Sequence, residues 1–293
     1  MFYFLSLLVG ILISAMIVMN GGLATQYGLY SATVIIHIIG LIFITILIWL
    51  KKENPFSKKY PWIFYQGGAF GVSIIVFSSF AFGRISVSAI LALGLLGQSV
   101  AGLIIDQFGL MDMPKHPFVK SKIIGLILIL IGTAAMIDSS QLWAMFVAFA
   151  GGVSFVISRT LNARLSTLTS LHISTFYNYI VGLIVSILIF LLLGSNEVTY
   201  PEFGVSPFSP NWYIYIGGVV GVVVILLSNI TVLKVSAFYL TLLIFIGQVS
   251  SGVIIDIVIS QELSIRYFIG AILVTLGLCI NLLMENTTER HKA

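Results

Sequence analysis

An α-helix needs about 20 predominantly apolar residues to cross the roughly 30 Å hydrocarbon layer of a bilayer. This sequence holds ten stretches of that kind: Phe2–Met19, Ser31–Leu50, Trp62–Phe82, Ser86–Ile105, Lys122–Ile137, Leu142–Ser158, His172–Leu193, Trp212–Leu233, Ala237–Ile259 and Tyr267–Met284. They lack the alternation of polar and apolar residues that a membrane β-barrel requires. Only 8% of the 293 residues are charged, against roughly 25% in a soluble domain, so a water-facing surface could not be covered. Ten spans leave only short loops, with no room for a soluble domain. The expected fold is all-α and integral to the membrane, with ten transmembrane helices. The first stretch has neither a basic leader nor an A-x-A cleavage site, and it reads as a retained helix rather than a signal peptide.

The ten stretches form two sets of five. A shift of 150 residues, without a gap, aligns Trp62, Gly67-Gly68, Gly71, Ser78, Ser86, Gly97-Gln98 and Ile104-Ile105-Asp106 with Trp212, Gly217-Gly218, Gly221, Ser228, Ser236, Gly247-Gln248 and Ile254-Ile255-Asp256. A shift of 142 pairs Gly10, Asn20 and Gly40 with Gly152, Asn162 and Gly182. Generic hydrophobicity matches Ile with Ile. It does not place Trp, paired Gly, Gly-Gln and Asp in one register, so the chain is read as a duplicated half. The repeats are assigned to residues 1–138 and 139–293. Five is odd, so the second half enters the membrane from the opposite side. Two inverted-topology five-helix repeats are the architecture of many secondary transporters.

Charge supports that topology. With the N-terminus inside, Lys51, Lys52, Lys58, Lys59, Lys115, Lys120, Lys122, Arg159, Arg164, Lys234, Arg290 and Lys292 are cytoplasmic, and only Arg84 and Arg266 are outside. Short cytoplasmic loops are the ones that hold Lys and Arg, so both termini are placed in the cytoplasm. The inner face then has 12 bases and 5 acids, for +7, and the outer face 2 bases and 5 acids, for −3. The net +4 is a topology signal, and none of the 24 charges is left for the middle of the membrane. Cations this scattered cannot follow a phosphate backbone, which excludes a nucleic-acid partner.

The Gly67-Gly68-x-x-Gly71 start of the third span resembles the drug/metabolite transporter superfamily, and within it the YdcZ-like family. So do the run Gly97-Gln98 … Gly102-x-Ile104-Ile105-Asp106-x-Phe108-Gly109-Leu110 and the segment Asn162-Ala163-Arg164-Leu165. The resemblance covers almost the whole chain, once per half. It implies a bacterial inner-membrane protein that moves small solutes, most often outward. Family members are usually a single five-span half, so this chain looks like a fused pair. It departs from the pattern after Asp256, where Phe-Gly-Leu is missing, and at Asn20-Gly21-Gly22-Leu23, which stands where Asn-Ala-Arg-Leu is expected.

Gln98 and Gln248 are the leading substrate-binding candidates. Each falls near the middle of its span, on equivalent helices, and an amide in hydrocarbon needs partners. The competing reading is that each glues its helix to a neighbour. Ser78, Ser228 and Asn229 add a polar patch, although hydroxyls also bond back to their own helix. His37 is the one histidine in the interior of a span, its counterpart is Tyr179, and both are further candidates for the substrate site. Asp106 and Asp256 end the fourth and ninth spans, where they could gate or couple transport or cap and bridge helix ends. Arg84 and Lys234 read as interface anchors. Asn20 and Asn162 are expected as C-caps of the first and sixth helices. The glycines around Gly94, Gly97, Gly102, Gly247 and Gly252 are expected to let helices approach closely.

No H-E-x-x-H, paired-carboxylate or Ser/His/Asp set is present, which argues against an enzyme and against a metal site. No phosphate-binding loop is present, which excludes ATP-driven transport within the chain. No cofactor is implied. The expected function is secondary transport of a small metabolite or drug-like solute by alternating access around a midplane site. With no acid mid-span, a neutral, zwitterionic or aromatic solute is favoured over a cation. The alternatives are a passive small-solute or ion channel and a structural membrane subunit. The partners are that small molecule and the bilayer. The fifth and tenth spans are assigned to the periphery or to a homodimer contact.

Overall fold

Uninterrupted apolar runs of this length give long helices, because only a helix satisfies every backbone polar group without water. The computed structural model describes residues 1–57, 60–112, 141–194, 209–232 and 237–260, with scattered helical positions at 127–132 and 269–280. Among the described residues eight α-helices carry the fold: α1 (Phe2–Tyr27), α2 (Leu29–Lys51), α3 (Gly67–Ala81), α4 (Val87–Phe108), α5 (Leu142–Leu168), α6 (Leu171–Leu193), α7 (Gly217–Val232) and α8 (Ala237–Ser260). The 3-10 turns Trp62–Gln66 and Trp212–Ile216 lead into α3 and α7 at equivalent positions of the two repeats. The described residues form no strand beyond one isolated bridge, Phe82 to Ile85.

Seven described segments are long and apolar enough to cross a membrane, and Leu243–Ile259 within α8 is a shorter apolar stretch. The expected spans Lys122–Ile137 and Tyr267–Met284, and Lys234, lie outside the described residues except for the scattered positions. Two helices outrun their expected ends by two turns or more. α1 continues past Met19 to Tyr27, and α5 past Ser158 to Leu168. Asn20 and Asn162 are therefore interior helical residues, not C-caps. Their side chains turn inward to other helices, so the polar residue that seems to end the apolar run does not end the helix.

Helix ends follow their local chemistry. The Ser170 hydroxyl accepts from the Ile173 N–H at the start of α6 (3.1 Å). Gly109 closes α4 in the left-handed region (φ 61°), where its missing Cβ avoids the usual clash. Arg84, in the turn between α3 and α4, lies 4.0 Å from the centre of the Phe80 ring and donates to the Phe80 carbonyl.

The helices pair mainly across the two halves. α1 packs on α8 and α4 on α5; α3 packs on α5 and α1 on α7; α2 packs on α6. Glycine makes these contacts possible. A Cβ at Gly10 would overlap the Ile244 carbonyl, and one at Gly247 the Leu7 carbonyl. With the halves exchanged, a Cβ at Gly152 would overlap the Gly94 carbonyl, and one at Gly97 the Phe149 carbonyl. Gly68 meets the backbone of Asn178 and Gly182, as Gly218 meets that of Ile36 and Gly40. Lipid tails are as apolar as leucine, so close backbone packing replaces the hydrophobic drive that holds soluble bundles together. The outward faces stay apolar: Ile42, Ile46, Leu191, Leu192 and Ile254 are exposed, which suits hydrocarbon and not water.

Candidate functional site

Among the described residues, adjoining cavities lie between the halves, and three of them concern the candidate residues. The largest, about 770 Å³ including its open mouth, is bordered by Met16, His37, Gly71, Ile74 and Ile75 from the first repeat. Across it stand their equivalents Ser158, Tyr179, Gly221, Val224 and Ile225, joined by Phe155, Arg159, Asn162, Asn178, Ser228 and Asn229. The second cavity, about 460 Å³, reaches Ser78, Gln98 and Gln248, and the third, about 390 Å³, reaches Gln98, Gln248, Arg159 and Ser228. Phe155 borders all three. A mostly apolar cleft with a few convergent polar groups is the usual form of a small-molecule site.

His37 and Tyr179 face each other, with ring centres 5.8 Å apart. Each ring fills the space opposite a glycine of the other repeat, His37 against Gly182 and Tyr179 against Gly40. His37 Nδ1 donates to the Thr33 carbonyl at 2.8 Å, which leaves Nε2 as an acceptor. The Tyr179 hydroxyl donates to the Gly218 carbonyl at 3.1 Å. On the same wall Asn162 Nδ2 donates to Asn178 Oδ1 (2.8 Å), and the Ser158 hydroxyl donates to the Gly67 carbonyl (2.8 Å). These bonds fix one polar wall. Asn229 is left with a buried Nδ2 that meets no acceptor among the described residues.

The glutamines meet in the second and third cavities, Gln248 buried and Gln98 half-buried. Ser14 fixes the backbone around Gln248 by donating to its carbonyl (3.0 Å). Ser78 lines the second cavity while bonding back to the Ile75 carbonyl (3.2 Å). Asp256 lies apart from the cavities. Its carboxylate accepts the Val87 N–H (2.7 Å), the Ser88 N–H (2.9 Å) and the Ser88 hydroxyl (2.5 Å), so it holds the first turn of α4. Asp106 sits in the last turn of α4, with its side chain outside the described residues.

A family model described as "Putative inner membrane exporter, YdcZ" matches residues 1–135 and again 143–280. The chain belongs to the YdcZ family. The double match is what two fused repeats of that family require. A solved protein crystal structure shares the fold over 98% of this chain and 97% of its own, with a TM-score of 0.62 at 16% identity. No curated protein matches. As a YdcZ-family member the chain is a multi-pass inner-membrane protein of a transporter family, not of an enzyme family.

The structure thus brings Gln98, Gln248, Ser78, Ser228, Asn229, His37 and Tyr179 to the walls of adjoining cavities, and leaves Asp256 outside them. It also corrects the charge map. Arg159 does not sit beyond the end of its helix. α5 runs nine residues further, which puts the Arg159 backbone about 14 Å from that end at 1.5 Å per residue, and the side chain borders two of the three cavities. A charge among these helices is available after all. The sequence signal was the apolar residues Leu161 and Leu165 beyond Arg159, which are buried. They continue a helical face that a charge interrupts without ending.

Proposed function

We propose that this YdcZ-family chain is a secondary carrier that moves a small organic solute through the cavities between its halves by alternating access. One observation carries the reading: the largest cavity is walled by sequence-equivalent positions of both repeats, His37 with Tyr179, Gly71 with Gly221, Ile74 with Val224 and Ile75 with Ile225. A site shared equally by two repeats lies where relative rocking of the repeats exposes it to either side in turn. Inverted topology, ten spans and cytoplasmic termini are supported by the odd number of spans per repeat and by the distribution of basic residues, 11 to 2 once Arg159 is set aside. The seam suits rocking, because at several crossings it is backbone against backbone and few side chains must disengage.

The test is flux into liposomes loaded with a solute found by a thermal-stability screen of the purified protein. A carrier gives saturable uptake and counterflow, and the Gln98→Leu/Gln248→Leu double variant loses both while keeping its helical circular dichroism. Non-saturating conductance would mean a channel. Full transport by the double variant would remove the glutamines from the site.

A further inference from the structure

We infer that Arg159 is the anion-recognition residue of the central cavity, and that the solute is a small organic acid whose carboxylate or other oxyanion docks on its guanidinium. This rests on the carrier reading above and names the class of its substrate.

Arg159 borders both the largest cavity and the inner cavity that holds the two glutamines. No carboxylate borders any of the three cavities among the described residues. Glu53 is engaged with His172 and Ser170 near the start of α6, and Asp256 with the start of α4. No described side chain neutralises Arg159. A half-buried guanidinium with five donors and no anion among the described residues, at the wall of a half-open chamber, is matched by an oxyanion from outside. The neighbours add donors for the same group. Ser228 borders the same two cavities as Arg159, and the buried Asn229 Nδ2 lacks an acceptor beside the larger one. Apolar walls from Phe155, Ile74 and Val224 suit the remainder of the solute.

The repeat gives an independent reason. The equivalent of Arg159 is Ile17, and the equivalent of Asn229 is Ser79. Each half builds its helices and cross-half packing on the same glycines, so the fold does not call for a charge at this position. The charge and the extra amide donor both belong to the second half and line the same cavity. That makes the chamber polar on one side, able to orient a solute whose two ends differ. A small organic acid therefore replaces the neutral, zwitterionic or aromatic solute expected from the sequence alone.

The experiment is thermal stabilisation of the full-length protein in detergent by matched probes: phenylacetate, phenyl phosphate, 2-phenylethanol and phenethylamine, with the corresponding C4 and C6 aliphatic acids, alcohols and amines. Stabilisation confined to the acids is expected. Arg159→Gln weakens that binding about 10- to 100-fold, the usual worth of a charged hydrogen bond, and Arg159→Lys restores part of it. Equal stabilisation by alcohols or amines overturns the inference, as does unchanged acid binding by Arg159→Gln. So does the absence of any acid effect, or an effect of phosphatidylglycerol alone. Circular dichroism shows that the variants are folded. Acids that bind through Arg159 but are never transported would sink the carrier reading alone. Counterflow of a neutral solute that persists in Arg159→Gln would sink this inference alone.

Discussion

Removing the Asp256 carboxylate should destabilise the whole bundle, because that side chain completes a helix belonging to the other repeat. The first four N–H groups of any α-helix lack partners within it. In α4 three of these are met by side chains, Val87 and Ser88 by the Asp256 carboxylate and Ala89 by the Ser86 hydroxyl (3.1 Å), before the regular ladder starts with Ile90 on the Ser86 carbonyl (3.0 Å). Asp256→Ala strands two backbone donors and the Ser88 hydroxyl, and removes a negative charge from the positive end of the helix dipole. The site is half-buried, so water replaces part of the loss, and about 1 kcal/mol per stranded donor is appropriate. The expected cost is about 2–3 kcal/mol for Asp256→Ala, and about half that for Asp256→Asn, which keeps one acceptor oxygen. SDS titration of the purified protein in mixed micelles, followed by circular dichroism, measures it. Counterflow should fall only as far as the folded fraction falls. A variant within about 0.5 kcal/mol of the parent that had nevertheless lost counterflow would refute this reasoning and return Asp256 to a gating or coupling role.

Gly152→Val should force α4 and α5 apart, since a Cβ there meets the Gly94 carbonyl; a loss of about 2 kcal/mol or more is expected in the same titration. Asn162→Leu should cost about 2 kcal/mol, because it strands the buried Asn178 oxygen now 2.8 Å from Asn162 Nδ2. Tyr179→Phe removes only the 3.1 Å bond to the Gly218 carbonyl, so stability should fall by about 1 kcal/mol while the ring still covers Gly40. Glu53→Gln weakens a partly exposed contact with His172 (2.9 Å), and a loss under about 1 kcal/mol is expected.

The helices were legible in the sequence because hydrocarbon imposes one rule on every span, and length and apolarity express that rule directly. The duplication was legible because glycine, glutamine and aspartate recur at fixed offsets. The pairing of halves was only partly legible. Gly10 and Gly97 announce a close approach, but nothing local says that their partners are the backbones of Ile244 and Phe149. Helix ends failed for a related reason. Asn20 and Asn162 look like stop signals in an apolar run, yet Asn162 is satisfied by Ser158 and Asn178, and Asn20 packs on Gly217. Those contacts come from the fold and cannot be read along the chain. The misplacement of Arg159 follows from the same shortened helix, since a span taken to stop at Ser158 leaves the next residue outside.

Cross-half pairing sets a schedule for making this protein. Ser14, in α1, bonds to the Gln248 carbonyl 234 residues later. At 5–20 residues per second, roughly 12–50 s of synthesis separate the two. Through that interval α1 must remain in the bilayer with its small-residue groove covered by lipid or by an assembly factor. The groove closes only when α8 arrives.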